Sequence, residues 1–331
     1  MHQTGNCAVE ARGLTKVFGT LVAVDHVSFC IREGIVYSLL GPNGAGKTTT
    51  INMLSTLLSP TEGDAFIQGY SVTRDRAMVR RLIGLVPQDL TADDELTGWE
   101  NVYIQARLYG LGDRDAREKT REVLGFMELW DHRDRRVSTY SGGMRRRLEI
   151  AMSLVNEPRV LFLDEPTLGL DVHTRRHLWG LIERLRESGI TILLTTHYME
   201  EAEYLADMVA IIDHGRIVAE DTPDGLKARI KGDRIYMRFR SSGDAARIKG
   251  ELEAMGYQAS ESGDSVTVKV EKSEDVLPEL IRLLQGAALV EIRIVKPNLE
   301  EVFIELTGKK LRGEEEPFDA FKYRVMRRRL R

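Results

Sequence analysis

The stretch Gly41-Pro42-Asn43-Gly44-Ala45-Gly46-Lys47-Thr48 decides how this chain folds. It follows the spacing Gly, four residues, Gly-Lys-Thr, which makes a loop that cradles phosphate groups. Residues 35–40 before it (IVYSLL) are a short apolar run and predict a buried strand. Residues 47–58 after it carry Ile51, Leu54, Leu57 and Leu58 at helical spacing. The loop therefore joins a strand to a helix N-terminus, where unpaired backbone N–H groups and the helix dipole favour an anion. Gly41, Gly44 and Gly46 let the backbone close on phosphate oxygens. Lys47 is expected to reach the β- and γ-phosphates of a nucleotide, and the Thr48 hydroxyl to bind Mg²⁺. The plainer alternative is a glycine turn with a chance lysine; the flanking strand and helix argue against it.

The chain has 331 residues, enough for one large or two ordinary domains. A hydrophobic content of 42% supplies a sizeable core, and a net charge of −4 gives no reason to expect nucleic acid as a partner. Cys7 and Cys30 are too few for a disulfide framework or a metal cluster. They read as ordinary thiols in a reducing compartment. No apolar run approaches the ~20 residues of a membrane span. The opening MHQTGNCAVEARG lacks the basic and apolar regions of a signal peptide. The expectation is a cytosolic protein that a partner can hold at a membrane.

Residues 8–35 read as strands around a Gly19-Thr20 turn, forming a small antiparallel sheet. Phe18 is either an ordinary strand residue or a ring that stacks on adenine. Short strands are expected at 65–70 and 83–87, with Gln88 at the end of the second, where polar residues line clefts. Residues 93–156 turn helical and charged. There Arg133–Arg136 reads as a solvated face. Ser141 of YSGGM precedes a periodic apolar run, as a helix cap does. Gly142 and Gly143 beside it make this a candidate second phosphate-binding helix start. Residues 159–163 (RVLFL) predict a buried strand ending in Asp164-Glu165, two carboxylates at a carboxyl end. There the Asp suits Mg²⁺ and the Glu suits polarising a water. TLGLD leads to a helix over 173–188. Residues 190–195 are a further strand with Thr196-His197 at its end, and a hairpin crosses Asp213-His214-Gly215. After a composition shift at 221–225 the order is βαββαβ, the split-βαβ pattern, closed by a short helix over 299–306. That helix carries Leu299, Val302, Phe303 and Leu306 on one stripe. The stripe needs cover from a second copy's domain or cassette, or from its own sheet. The tail from Phe318 is basic, either a disordered end or a segment for an anionic surface.

Together these residues resemble the ATP-binding subunits of ABC transporters over about residues 8–222. GPNGAGKT looks like Walker A, Gln88 the Q-loop, YSGGM the signature, LFLDEP Walker B, LGLD the D-loop and His197 the switch histidine. YSGGMRRRL, EPTLGLDV, LLTTHYMEEAE and NLEEVFIELTG are most similar to the daunorubicin-resistance ATPases of type-2 exporters. The signature departs from the commoner LSGGQ at Tyr140 and Met144. The resemblance implies a P-loop NTPase cassette of α/β class over 1–222. It includes an antiparallel β subdomain and a helical subdomain at about 93–156. A linker at 223–233, an α+β ferredoxin-like domain at 234–308 and a charged tail at 309–331 complete the chain. It further implies that Phe18, Gly41, Pro42, Asn43, Gly44, Ala45, Gly46, Lys47, Thr48 and Thr49 bind ATP. Thr48, Gln88 and Asp164 would hold Mg²⁺, and Glu165, His197 and Gln88 would be catalytic. Ser141, Gly142 and Gly143 would contact the γ-phosphate on the opposite subunit, and Asp171 would carry signals across the dimer. The implied partners are a second copy or a paralogous cassette and separate integral-membrane permease subunits, at the cytoplasmic face of the cell membrane. The implied work is export of a drug-like or lipid-like substrate. A soluble ABC ATPase of DNA repair or translation is a weaker fit, since the chain has one cassette and no heptad array between phosphate loop and signature. An import ATPase is a weaker fit because of the βαββαβ order and the NLEEVF ending.

Overall fold

The structure, a computed structural model, describes residues 7–230 and 232–307. The basic tail and the end of the last domain at Gly308 lie outside those residues. Two compact units emerge, one running to Pro223 and the other starting at Asp224.

The first unit begins with β1 (Cys7–Phe18) and β2 (Leu21–Arg32), then β3 (Val36–Leu40) and α1 (Lys47–Leu54). β4 (Glu62–Ile67), β5 (Tyr70–Ser71), α2 (Arg76–Leu82) and β6 (Ile83–Val86) follow. Next come α3 (Gly98–Leu108), α4 (Asp113–Phe126) and α5 (Gly142–Ser153). β7 (Val160–Asp164), α6 (Val172–Glu187), β8 (Thr191–Thr196), α7 (Met199–Leu205), β9 (Met208–Asp213) and β10 (Arg216–Asp221) complete it. The central sheet runs β10-β9-β3-β8-β7-β6, parallel except for β10. A four-stranded antiparallel sheet, β2-β1-β4-β5, lies beside it.

Every residue of β3, β7 and β8 is buried, as expected for parallel strands covered on both faces. Alternate side chains enter two cores. Tyr37, Leu39, Val160, Phe162 and Leu193 meet the antiparallel sheet and α1. Val36, Leu161, Leu163, Ile192 and Leu194 meet the helices from α3 to α6. α1 is shorter than its stripe suggested: it ends at Leu54, Thr56 turns to positive φ, and Leu57 is exposed.

The thiol expectation for Cys7 and Cys30 is overturned, because the two form a disulfide with Cα atoms 5.6 Å apart. The cause is hairpin register. Pairing around Gly19-Thr20 sets Cys7 opposite Arg32 and Cys30 opposite Glu10, so the two sulfurs meet diagonally across neighbouring strands. Counting cysteines alone missed a geometry that the turn position implied.

The segment read as a linker is not open chain. It carries α8 (Pro223–Arg229), with proline at the first helical position, Asp224 in the first turn and Leu226 fully buried. The second unit continues with β11 (Asp233–Phe239), α9 (Ser242–Ala254), β12 (Gln258–Ser262), β13 (Ser265–Val270), α10 (Ser273–Leu283), β14 (Leu289–Val295) and α11 (Leu299–Thr307). Its sheet is antiparallel in the order β12-β13-β11-β14. Ile235, Met237, Phe239, Val266, Val268 and Val270 face a core shared with α9 and α10. The apolar stripe of α11 is not left for a second copy to cover. Leu299, Val302 and Phe303 are buried within the chain itself, and only Leu306 stays exposed.

Candidate functional site

The site is built at the carboxyl ends of β3, β8 and β7, which lie side by side in the central sheet. The loop leaving β3 is shaped by two glycines. Gly46 caps α1 at φ +104, and a Cβ there would lie 2.5 Å from the Ala23 carbonyl oxygen. A Cβ on Gly41 would lie 2.3 Å from the carbonyl oxygen of Ile212. No side chain caps α1, so its first N–H groups point into the loop without a protein acceptor of that kind. Ala45 is held by both backbone groups, donating to the Pro42 carbonyl and accepting from the Gly215 N–H. Asn43, Gly44 and Thr48 are exposed, and Thr49 is half-buried.

Lys47 is 5% exposed, and its ammonium donates to the carbonyls of Gly41 (2.7 Å) and Pro42 (3.1 Å). It also pairs with Glu165 Oε1 at 3.0 Å. The other oxygen of Glu165 meets His197 Nδ1 at the end of β8. Glu165 occupies the left-handed region at φ +49, held by its N–H bonds to Thr195 Oγ1 (3.0 Å) and the Thr195 carbonyl (3.2 Å). A non-glycine residue there stores strain, of order 1–3 kcal/mol. Burial would raise the Glu165 carboxyl; His197 and Lys47 outweigh it and hold the group below the usual glutamate range. Asp164, beside it, is pushed up by burial, against hydrogen bonds from Thr195 and Thr48. Two adjacent carboxyls are thus driven in opposite directions by their surroundings, a pattern that marks functional sites. Thr48 and Asp164 together present the hydroxyl and carboxylate oxygens that suit a hard cation such as Mg²⁺.

The glycine-rich stretch at 141–143 belongs to a different place. Ser141 caps α5 by accepting the Met144 N–H at 3.3 Å. A Cβ on Gly143 would strike Thr174 Cγ2, 2.2 Å away, and one on Gly142 would sit 3.6 Å from Leu170. The start of α5 therefore lies against the loop and helix that carry Asp171. Asp171 caps α6 through the Thr174 N–H (3.0 Å) and hydroxyl (2.6 Å). Tyr140 is buried, and its hydroxyl donates to the His132 carbonyl at 2.8 Å. Phe18 ends β1 with its ring 47% exposed and the Lys16 ammonium 5.2 Å from its centroid.

Gln88 is exposed beyond the end of β6, and its segment is clamped by residues that the sequence did not single out. Arg146 of α5 is buried and donates to the carbonyls of Pro87 (2.7 Å) and Gln88 (2.8 Å). Glu149, one turn on, accepts from the Thr91 N–H, the Thr91 hydroxyl (2.6 Å) and the Ala92 N–H (2.7 Å). The RRR run at 145–147 was the available signal, because a buried α5 face leaves little room for three solvated arginines. Glu201 of α7 was also missed. It is fully buried and accepts from Trp179 Nε1 at 3.0 Å, with the Thr196 and Thr167 hydroxyls beside it. It lies four residues past His197 and bridges α7 to α6. The Arg133–Arg136 cluster, read as a solvated face, is partly structural. Arg133 stacks on Trp130 at 4.2 Å, and Arg135 donates to the Thr139 carbonyl at 3.0 Å.

A loop shaped for phosphate, a strand-end acid pair and a capped glycine helix start in one α/β unit define a nucleotide-hydrolysing cassette. Residues 24–168 match the ABC transporter family, and residues 222–307 match the C-terminal domain of DrrA1-3-like ATP-binding proteins. The chain is 41% identical to the daunorubicin resistance ATP-binding protein DrrA3 of Streptomyces coeruleorubidus, over 93% of this chain and 98% of that one. It is 33% identical to the linearmycin resistance ATP-binding protein LnrL of Bacillus subtilis, over 92% and 99%. A solved dimeric ATP-binding cassette in a post-hydrolysis state, bound to ADP and Pi, matches with TM-score 0.59 at 28% identity, covering 65% of this chain and 98% of that one. The chain belongs to the ABC transporter ATP-binding family, within its daunorubicin-resistance branch. It is an ATPase coupled to transport. Among the described residues no helix is long and apolar enough to cross a membrane.

Proposed function

We propose that this chain powers export of a drug-like or lipid-like substrate, hydrolysing Mg-ATP as half of a dimer seated on separate membrane subunits at the cytoplasmic face of the membrane. One observation carries the chemistry: Lys47, Glu165 and His197 converge from three neighbouring strands. The loop from Gly41 to Thr49 binds the phosphates, and Phe18 offers its exposed ring to the adenine. Lys47 can serve either the Glu165 carboxylate or a phosphate, and the higher charge of the γ-phosphate draws it away. Glu165 is then left beside His197, ionised and able to accept a proton from the attacking water. His197 positions Glu165 and faces the γ-phosphate. Thr48, Asp164 and Gln88 would hold Mg²⁺, which would offset the negative charge that develops on the phosphates.

Ser141, Gly142 and Gly143 sit against the Asp171 segment, so the proposed role for them is on the ATP of a second subunit, with Asp171 linking the two sites. Two copies meeting head to tail complete both sites. Support for export comes from the names of the relatives, among them a Nod factor export ATP-binding protein of Sinorhizobium fredii at 38% identity. Glu165→Gln is expected to bind ATP normally while hydrolysis falls about 10²–10⁴-fold, and to sediment as a nucleotide-bound dimer. Near-normal turnover in that variant would remove Glu165 from the chemistry. Co-purification with a membrane protein encoded beside it, and drug sensitivity restored by Glu165→Gln in the host, test the transport reading. Full activity with no membrane partner would favour a soluble ATPase.

A further inference from the structure

The second unit has two sheet edges, and they differ. The β12 edge presents Gln258, Ser260, Glu261 and Ser262, polar and exposed. The β14 edge is bonded to β11 on one side and, among the described residues, to no strand on the other. It exposes Val290 (47%), Ile292 (41%) and Ile294 (41%). Ile292 and Ile294 pair with Met237 and Ile235 of β11, so they lie on the face that carries α9 and α10, at the rim of that core. Glu291 and Arg293 pair with Arg238 and Tyr236 and occupy the opposite face. A long edge with apolar side chains and open backbone groups is a template for another strand.

The charges on this edge say which strand. In an antiparallel pairing of β14 with a copy of itself, centred on Ile292, the residue before the centre faces the residue after it. Glu291 then lies opposite Arg293, twice, and Ile292 lies opposite Ile292. Directly opposed unlike charges on one face stabilise such a ladder, and like charges destabilise it. Within one chain Arg293 already reaches Glu291 at 2.6 Å and Arg238 reaches it at 3.3 Å, and pairing about the two-fold axis extends this into a ladder of alternating charge across both copies. A two-fold axis is also the symmetry of the commonest homodimers.

We propose that β14 is a homotypic interface: two copies of this chain join their C-terminal sheets edge to edge through β14, Ile292 on the two-fold axis and Glu291 opposite Arg293 of the other copy. The ladder is narrow, so the contact is weak alone and gains from the raised effective concentration once the cassettes pair. It uses neither ATP nor the α5 start, so its outcome is separable from that of the nucleotide sandwich. The pairing also gives the C-terminal unit an occupant for its open edge, while the α11 stripe is satisfied within one chain.

Cysteine cross-linking of the full-length protein without nucleotide tests it, since Cys7 and Cys30 are already paired. Under copper-phenanthroline at high protein concentration, Ile292→Cys is expected to give a covalent dimer, because opposed Cβ atoms lie about 5 Å apart. Ile294→Cys should not, because its own copy is four residues along, about 13 Å away. Ser262→Cys on the β12 edge should also stay monomeric. Adding Glu291→Arg or Arg293→Glu to Ile292→Cys should cut the dimer yield about tenfold through like-charge opposition. Both reversals together should restore it, with circular dichroism unchanged throughout. The proposal is overturned if Ile292→Cys links no better than Ser262→Cys, if Ile294→Cys links equally, if the double reversal fails to rescue, or if position 292 links in cells only to a different polypeptide.

Discussion

At the scale of single residues, the site separates groups that look alike in sequence. Asp164 and Glu165 are neighbours, yet burial raises the first and the His197 and Lys47 contacts lower the second. Glu201 is the third buried carboxyl of this region. Burial pushes it above the usual glutamate range, more than Thr196, Thr167, Trp179 and Arg175 pull it back. A carboxyl with a raised native pKa binds its proton more tightly folded than unfolded. Its contribution to stability is full below the ordinary glutamate range and is lost as pH rises through the native value. Glu201→Gln keeps the acceptor for Trp179 and removes the charge. Denaturant unfolding from about pH 4 to pH 8 should show the wild type losing stability relative to the variant as pH rises. Parallel profiles would mean that Glu201 is ionised at no cost in its pocket.

At the scale of elements, α5 does two jobs at once. Its first turn presents Ser141, Gly142 and Gly143, and its second and third hold the segment after β6 through Arg146 and Glu149. The helix start and the Gln88 segment are therefore tied to the same helix. Glu149→Ala removes the oxygen that accepts both the Thr91 and the Ala92 N–H, leaving these partly buried donors unpaired at a cost of about 1–3 kcal/mol. The expected result is faster hydrogen exchange at the Thr91 and Ala92 amides and slower ATP hydrolysis, with ATP affinity retained. Unchanged exchange at those two amides would argue that the clamp is carried by Arg146 alone. Both clamp residues escaped sequence reading because each has a helical neighbour of its own charge type or polarity. Periodicity marks which face is apolar, not which charged side chain turns inward to meet a backbone.

For the whole molecule, the parallel sheet and its site were legible because buried parallel strands are short apolar runs, and the chemistry stands at their ends. IVYSLL, RVLFL and ITILLT each lead into Gly41, Asp164 or Thr196-His197. What stayed hidden was long-range. The Cys7–Cys30 bond depends on hairpin register, the Glu201 pocket on the packing of α7 against α6, and α8 on the burial of Leu226. The α11 stripe was correctly seen as needing cover, but its source lay beyond a reading of spacing. Since Phe303 is fully buried within one chain, Phe303→Ala should lower unfolding stability by about 3–5 kcal/mol. The dimerisation constant measured on the folded fraction should stay unchanged. A loss of dimer at unchanged melting temperature would reverse that conclusion.

The Tyr140 pocket has a consequence for descent. A Cβ at Gly98 would stand 2.2 Å from the Tyr140 hydroxyl, so the aromatic ring at the start of the signature and the bare backbone at the start of α3 fit only as a pair. A lineage that enlarges position 98 has to surrender the tyrosine, and one that trades the tyrosine for leucine loosens position 98 for larger residues. The two positions, more than forty apart in the chain, should therefore drift in step across relatives. Gly98→Ala should harm the protein alone and be tolerated beside Tyr140→Leu, so that this signature's spelling is inherited together with its lock.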